Sequence, residues 1–348
     1  MIRINFVGDV AIFKEYENRQ HDPFAYIKLP DSSFNVANFE FPLPDSNAIK
    51  LFYDVDNNYR VSDSFGRSLQ LDKFDLYSLA NNHIQDYGTE GILSTIDKIV
   101  SARSNYFGVG KDQFNTFSCD IDGISFLFIA FVKKGRWDRR DGDIGPDSYD
   151  LKELLALIES RQAMQDHIVV FPHWGTELVD SPDPEDVINA RQMIDAGASC
   201  VIGHHPHIPQ GCEIYKNGLI VYSLGSFIYL PDYEKGNTDK LFARDVSICL
   251  NVEFSKKSIV GYTPYKYVLD RFKLTPVCQG DFRSEKDYEI LCAVIGDARY
   301  YSKKVRSVLL RRELVSFFSR FKEDPLRATS HYLQYVKLNH FKKIIGLH

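Results

Sequence analysis

Short apolar runs recur along this chain, and several stop at a residue able to bind a metal. Residues 2–8 run hydrophobic into Gly8-Asp9. Phe34 to Phe39 stops at Glu40, and Phe74 to Leu79 stops at Ala80-Asn81-Asn82-His83. His167 to Phe171 leads into Pro172-His173, and Cys200 to Ile202 leads into Gly203-His204-His205-Pro206-His207. Runs of this length, bounded by turn residues, read as buried strands. Oxygen and imidazole groups at the ends of several strands suggest a metal site assembled by the fold. Open α/β sheets build their sites outside the carboxyl ends of strands. His205 and His207, one residue apart, can both turn toward one centre.

Helical patterns alternate with these runs. Gly88 to Arg103 carries Ile92, Ile96 and Ile99 at helical spacing, Leu151 to Met164 is amphipathic, and Pro184 to Ala196 opens on a proline. Asp122-Gly123 and Asn217-Gly218 are hairpin signals, and Val246 to Phe254 with Ile259 to Val268 reads as a further antiparallel pair. The expected fold is a layered α/β sandwich with mixed sheets. A boundary is expected near Thr275 to Arg283, giving a first domain over 1–275 and a basic helical extension over 276–348. In the extension, Val305, Val308, Leu309, Phe317, Phe318 and Phe321 form a helical stripe that Pro325 breaks, and a last helix follows.

The formal charge of −5 over 348 residues argues against general nucleic-acid binding. It is unevenly spread. Residues 299–348 hold 12 Lys/Arg and 3 Asp/Glu, a net of +9, so residues 1–298 carry −14. A basic tail on an acidic body can serve as a partner or membrane-surface contact, or simply be a solvated helical face. The six cysteines form no CxxC pair and read as buried thiols in a reducing compartment. The first residues read as a strand at once and no run is long enough to span a bilayer, so neither a signal peptide nor a membrane anchor is expected, and a cytoplasmic location is.

Each candidate residue has a plain reading beside the chemical one. Asp9 after Gly8 fits a turn, Asn81-Asn82 fits an Asn-rich turn, and His173 fits a satisfied core histidine. Together they favour chemistry. A carboxylate emerging from a rigid strand end, as Glu40 does, can bridge two cations. An amide oxygen ligates without adding charge, and a histidine beside it can act on substrate. Glu177 is placed to orient His173 from behind. Lys133, Lys134, Arg136, Arg139 and Arg140 cluster after Phe131 and could grip an anionic small molecule or glycan, with Trp137 stacking on a sugar or base, or equally form a solvated basic loop. Tyr222, Tyr229 and Tyr233 could line the same mouth.

Six stretches, in order, resemble the CapA family of capsule and poly-γ-glutamate biosynthesis proteins, within the calcineurin-like metallophosphatase superfamily. They are Gly8-Asp9-Val10, Asn38-Phe39-Glu40, Ser78 to His83 with Asp86-Tyr87-Gly88, His173 to Glu177, Gly203 to His207, and Tyr222-Ser223-Leu224-Gly225-Ser226-Phe227. They cover about residues 1–270. The resemblance implies two divalent ions, manganese, iron or zinc. Asp9 and His207 would hold one, Asn82, His173 and His205 the other, and Glu40 would bridge. His83 would serve as general acid, with Asn81, His204, Glu177, Tyr222 and Ser226 around them. Three positions depart from the pattern: Ala11 stands where the superfamily has histidine, Glu40 where it has aspartate, and Ser226 where CapA proteins have asparagine.

The leading expectation is a metal-dependent phosphoester hydrolase in surface-polysaccharide or capsule biosynthesis. A step forming or cleaving amides in a poly-γ-glutamate-like polymer is the first alternative, although no GxxxxGK[ST] loop occurs. A non-catalytic assembly module with a degenerate metal site is the second.

Overall fold

Two β-sheets with parallel middles are stacked on each other in the computed structural model, which describes residues 1–50, 60–133, 144–230 and 245–323. In chain order the strands are β1 (Ile2–Val10), β2 (Phe34–Phe39), β3 (Leu76–Ser78), β4 (Asn105–Phe107), β5 (Val109–Gly110), β6 (Phe117–Ile121), β7 (Ile124–Val132) and β8 (Gly145–Pro146). They continue as β9 (His167–His173), β10 (Cys200–Ile202), β11 (Cys212–Tyr215), β12 (Gly218–Val221), β13 (Ser226–Ile228), β14 (Val246–Phe254), β15 (Ile259–Asp270) and β16 (Thr275–Asp281). The α-helices are α1 (Lys14–Asn18), α2 (Asp63–Ser68), α3 (Gly88–Ser101), α4 (Leu151–Arg161), α5 (Pro184–Asp195), α6 (Lys286–Ala293) and α7 (Ala298–Glu323).

The first sheet runs β16-β15-β14-β1-β2-β3-β4, with β13 also paired to β1. Strands β1 to β4 and β13 are parallel, whereas β14 to β16 form an antiparallel apron. The second sheet runs β11-β12-β10-β9-β7-β6, parallel from β7 to β12 and antiparallel at both edges. The inner strands are buried on both faces, which is why they read as continuous apolar runs. In β7, Phe126, Phe128 and Ala130 face the first sheet, while Leu127, Ile129 and Phe131 face the helices outside. Phe6 of β1 meets Phe171 of β9 across the interior, ring centres 5.7 Å apart. Outside the first sheet, a second core draws on α1, α2 and α3. Outside the second, Leu154 and Ile158 of α4 pack with Val187, Met193 and Ile194 of α5. Asp150 and Asp183 cap these two helices through the backbone N–H of Glu153 and Glu185. The layered mixed α/β architecture is the one expected.

Several local expectations shift. Strand β9 runs to His173, so this histidine is part of the strand instead of following it. A 3₁₀ turn over residues 71–73 delays β3 to Leu76. The second hairpin turns on Lys216-Asn217, since Tyr215 pairs with Gly218, and Lys216 has φ 52°. Gly218 opens β12, where a Cβ would lie 2.5 Å from the Ile194 side chain. Thr275 to Asp281, where a boundary was expected, is strand β16, hydrogen-bonded to β15. The chain divides into two compact units, Met1–Gly296 and Asp297–His348. All six cysteines are free thiols, and Cys200, Cys212 and Cys249 are buried. Among the described residues no helix is long and apolar enough to cross a membrane.

Candidate metal centre

The carboxyl ends of β1, β2, β3, β9 and β10 come together at one edge of the sandwich. Asp9 lies in the last turn of pleat of β1, where the strand changes partner. Up to Val7 it pairs with β14; at Asp9 it pairs with Ser226 of β13. The change brings β13 very close: a Cβ on Gly8 would sit 1.8 Å from the carbonyl oxygen of Gly225. Gly8 is therefore required by strand packing, not by the approach of a ligand as its place before Asp9 suggests. Opposite Asp9 in register is Asn38 of β2, and its amide donates to Asp9 Oδ1 at 2.9 Å. Glu40 follows β2, its N–H bound to Val10 O at 2.9 Å.

These residues form one continuous cluster. Ligand atoms of Glu40, His205 and His207 all lie within 4.8 Å of one another, and all three residues are buried. Nδ1 of His207 is 3.0 Å from Asp9 Oδ2, and its Nε2 is 3.3 Å from Glu40 Oε1. His173 Nε2 is 3.9 Å from the same Glu40 oxygen and 2.7 Å from Asn82 Oδ1. Five candidate ligands, Asp9, Asn82, His173, His205 and His207, thus gather about the sixth, Glu40.

The donor set suits a divalent cation. Asp9 and Glu40 are fully buried, and burying carboxylates costs several kcal/mol per ion unless positive charge accompanies them. Burial pushes the His173 imidazole well below its ordinary pKa and lowers that of His205 to about 4, so both stay neutral near pH 7. Neutral imidazole is the metal-binding form. Nδ1 of His173 and Nδ1 of His205 are buried with no hydrogen-bond partner among the described residues. Burial alone would raise the Asp9 pKa, but His204 and His207 outweigh it and hold the carboxyl well below its usual range.

The histidine loop is backbone-strained. His205 has φ 97° and His207 φ 61°, a region costly for side chains other than glycine's. Hydrogen bonds from outside hold it: Trp174 N to His204 O at 3.1 Å, Leu178 N to Pro206 O at 2.8 Å, and Leu224 N to Gly203 O at 3.1 Å. Strain maintained this way orients two side chains on alternate residues toward Glu40.

His83 stands at the exposed rim, its side chain 30% accessible. Its Nδ1 lies 2.9 Å from Oδ2 of the buried Asp86, and its ring stacks on Phe41 at 4.2 Å. Asn81 Oδ1 accepts from the N–H groups of His83 and Ile84, and its amide donates to Phe39 O. Asn81 therefore ties the His83 turn to the strand that carries Glu40. His204 stacks on Phe171, with Nδ1 3.3 Å from Asp9 Oδ1, and is buried, in a supporting place and not a substrate-facing one. Ser226 Oγ is 3.4 Å from His207 Nδ1. The charge of Glu177 acts on His205, opposing part of the burial that lowers its pKa.

The expectations for Tyr222 and Lys133 fail here. Tyr222 does not line the mouth: it is fully buried in the outer core of the second sheet, and its hydroxyl donates to Glu213 at 2.6 Å. Lys133 is committed to Asp186 at 2.6 Å and Glu185 at 3.2 Å. Tyr229 is buried beside the centre, 4.6 Å from the His207 ring and 5.1 Å from Phe13. Lys134, Arg136, Trp137, Arg139, Arg140 and Tyr233 lie outside the described residues. Sequence reading missed Asp86 and Asn38 as partners of His83 and Asp9. Asp86 was open to detection, three residues after His83; Asn38 becomes a partner only through the β1–β2 register.

Residues 3–230 match the family described as bacterial capsule synthesis protein PGA_cap. The capsule biosynthesis protein CapA of Bacillus anthracis is 30% identical over 66% of this chain and 60% of its own length. The PGA biosynthesis protein CapA of Bacillus subtilis is 27% identical over 80% of this chain and 71% of its own. A phosphatase from Mycoplasma pneumoniae of known structure aligns with a TM-score of 0.44 and 12% identity, over 83% of this chain and 98% of that one.

Proposed function

The chain belongs to the bacterial capsule synthesis protein PGA_cap family, and from that membership and its buried centre we propose that it is a metal-dependent phosphoester hydrolase serving the assembly of a surface polymer. The observation that carries the reading is the convergence of Glu40, His205 and His207, with a tethered histidine, His83, at the open rim. Asp9 and His207 would hold one divalent ion, and Asn82, His173 and His205 a second, with Glu40 shared. Manganese, iron and zinc all suit this mixture of imidazole, amide and carboxylate. Bound there, such ions supply Lewis-acid charge and make a bound water acidic.

The chain's own groups do the rest. Asn38 fixes the Asp9 carboxylate, and the strained loop fixes His205 and His207. With Asp86 ionised, Nδ1–H of His83 donates to it, and the ring when protonated on both nitrogens would pass its Nε2 proton to the leaving oxygen. Phe41 holds the plane of that ring. The poly-γ-glutamate association of the family makes a carboxylate-rich polymer pathway the setting we favour.

The test is elemental analysis of the purified protein, followed by assays on a phosphomonoester, a phosphodiester and an acyl amide. Stoichiometric divalent metal and phosphoester turnover that disappears in His205→Ala are expected. Protein that takes up no divalent metal, or that cleaves amides alone, overturns the reading.

A further inference from the structure

We propose that the far end of the first sheet carries a second binding site, for a carboxylated sugar unit. A cavity of about 740 Å³ lies there, a volume typical of small-molecule sites. Arg3 lines it, six residues before Asp9 on β1, so at the rise of an extended strand the two sites stand about 20 Å apart.

The sheet changes character at this point. Val7 and Cys249, opposite each other on β1 and β14, belong to the outer apolar core. Two residues toward the N-terminus of β1, on the same face, Asn5 pairs with Asn251, which pairs in turn with Thr263. Two further on, Arg3 pairs with Glu253, and Glu253 with Gly261. The wall opposite is the segment from Lys28 to Ser32. Tyr267 OH donates to Lys28 O at 2.6 Å, Asn5 to Pro30 O at 2.8 Å, and Asn251 to Asp31 O at 3.3 Å. Asn5 is fully buried and Asn251 is 9% exposed. Polar side chains thus hold this wall in place without a ligand, the preorganisation that favours binding.

The lining chooses the ligand. Lys28 has no ion-pair partner among the described residues, and Arg3 approaches Glu253 only to 3.9 Å. Arg283, the third cation of the lining, is held by Asp281 at 2.6 Å, which leaves these two to suit a carboxylate. Asp31 and Glu253 beside them accept from sugar hydroxyls and disfavour a second charge on the same group, as a phosphate monoester carries, whereas a uronate carries one per sugar unit. Tyr265 offers a half-buried ring for the apolar face of a sugar. A singly charged uronate satisfies all of these groups; a neutral hexose leaves Lys28 unused.

The probe is trigalacturonate, titrated calorimetrically into the full-length, metal-loaded protein beside neutral trigalactose. We expect saturable binding, at least about tenfold tighter than for trigalactose and at least about tenfold weaker in Lys28→Glu and Tyr265→Ala. Metal content and circular dichroism should be unchanged in both variants, and His205→Ala should bind trigalacturonate normally. No saturable heat up to about 10 mM overturns the proposal. So does equal binding of the neutral trimer, or binding lost in His205→Ala and retained in Lys28→Glu.

Discussion

His83 and Asp86 form a pair whose separation in sequence is a single turn and whose burial is opposite: the histidine is at the rim, the carboxyl inside. Replacing Asp86 by Asn keeps the shape but removes the charge that fixes the tautomer. We predict a fall of about 100-fold in kcat with KM and metal content nearly unchanged, read by steady-state kinetics and elemental analysis; wild-type turnover would show that Asp86 has no part. His205 behaves differently. Its folded pKa of about 4 lies below the ordinary 6.5, so below pH 6.5 the unfolded chain takes up a proton that the folded chain refuses. Metal-free protein should therefore lose stability as the pH falls from 6.5 to 4, with at most roughly 3 kcal/mol from this residue. Urea melts of the chelated protein at pH 7 and pH 4.5 check this; the loss should be smaller in His205→Gln, and equal losses would refute it. Seven of these side chains were readable beforehand, from Asp9 to His207, because each stands at or just past the end of a buried run. Asn38 was not, since its role depends on which strand lies beside β1. Tyr222 was misread because its partner Glu213 lies across a hairpin, on the outer core.

Strand β1 illustrates how a single element can be shared. Its first residues serve the apron through β14, and its last two serve the centre through β13. Gly8 marks the handover. Gly8→Ala would force the Gly225 carbonyl away from Asp9 N, now 2.9 Å distant, and we expect a loss of about 2 kcal/mol or more together with weakened metal binding. A thermal melt and a metal titration check it, and a variant matching wild type in both would refute it. Helix α7 poses a separate question. From Ala298 to Arg311 it carries Arg299, Lys303, Lys304, Arg306 and Arg311 and no acidic residue. Leu309 and Leu310 are 41% and 43% exposed. An anionic surface attracts each such cation by about 1 kcal/mol. The chain should co-sediment with phosphatidylserine vesicles at low salt and not with phosphatidylcholine alone. The triple variant Arg299→Glu, Lys303→Glu, Arg306→Glu should remain in solution; sedimentation equal to wild type would remove the helix from consideration. The helix itself was legible as a stripe, whereas β13 and β16 were not. Three residues are too few to show a period, and an edge strand containing Pro276 and Gly280 reads as a loop.

Taken together, the layers were legible because two-sided burial writes itself as unbroken apolar runs, but the assignment of strands to sheets was not. Nothing local says that β3 and β9 belong to different sheets whose ends meet. An ion held where the two sheets meet would therefore stabilise the fold. At a free metal concentration of 100 Kd the gain is about 2.7 kcal/mol, so chelation should lower Tm measurably and re-addition of the ion should restore it. A melting curve indifferent to chelator would argue that no ion is held. Glu40 comes from one sheet, and His205 and His207 come from the other. The centre is therefore a gauge laid across a seam. A core substitution such as Phe171→Leu, which lets one sheet slide on the other by a fraction of an ångström, would register first as altered affinity for the ion. The melting temperature would follow only later, so ion affinity becomes a sensitive reporter of how the two halves of the sandwich are seated.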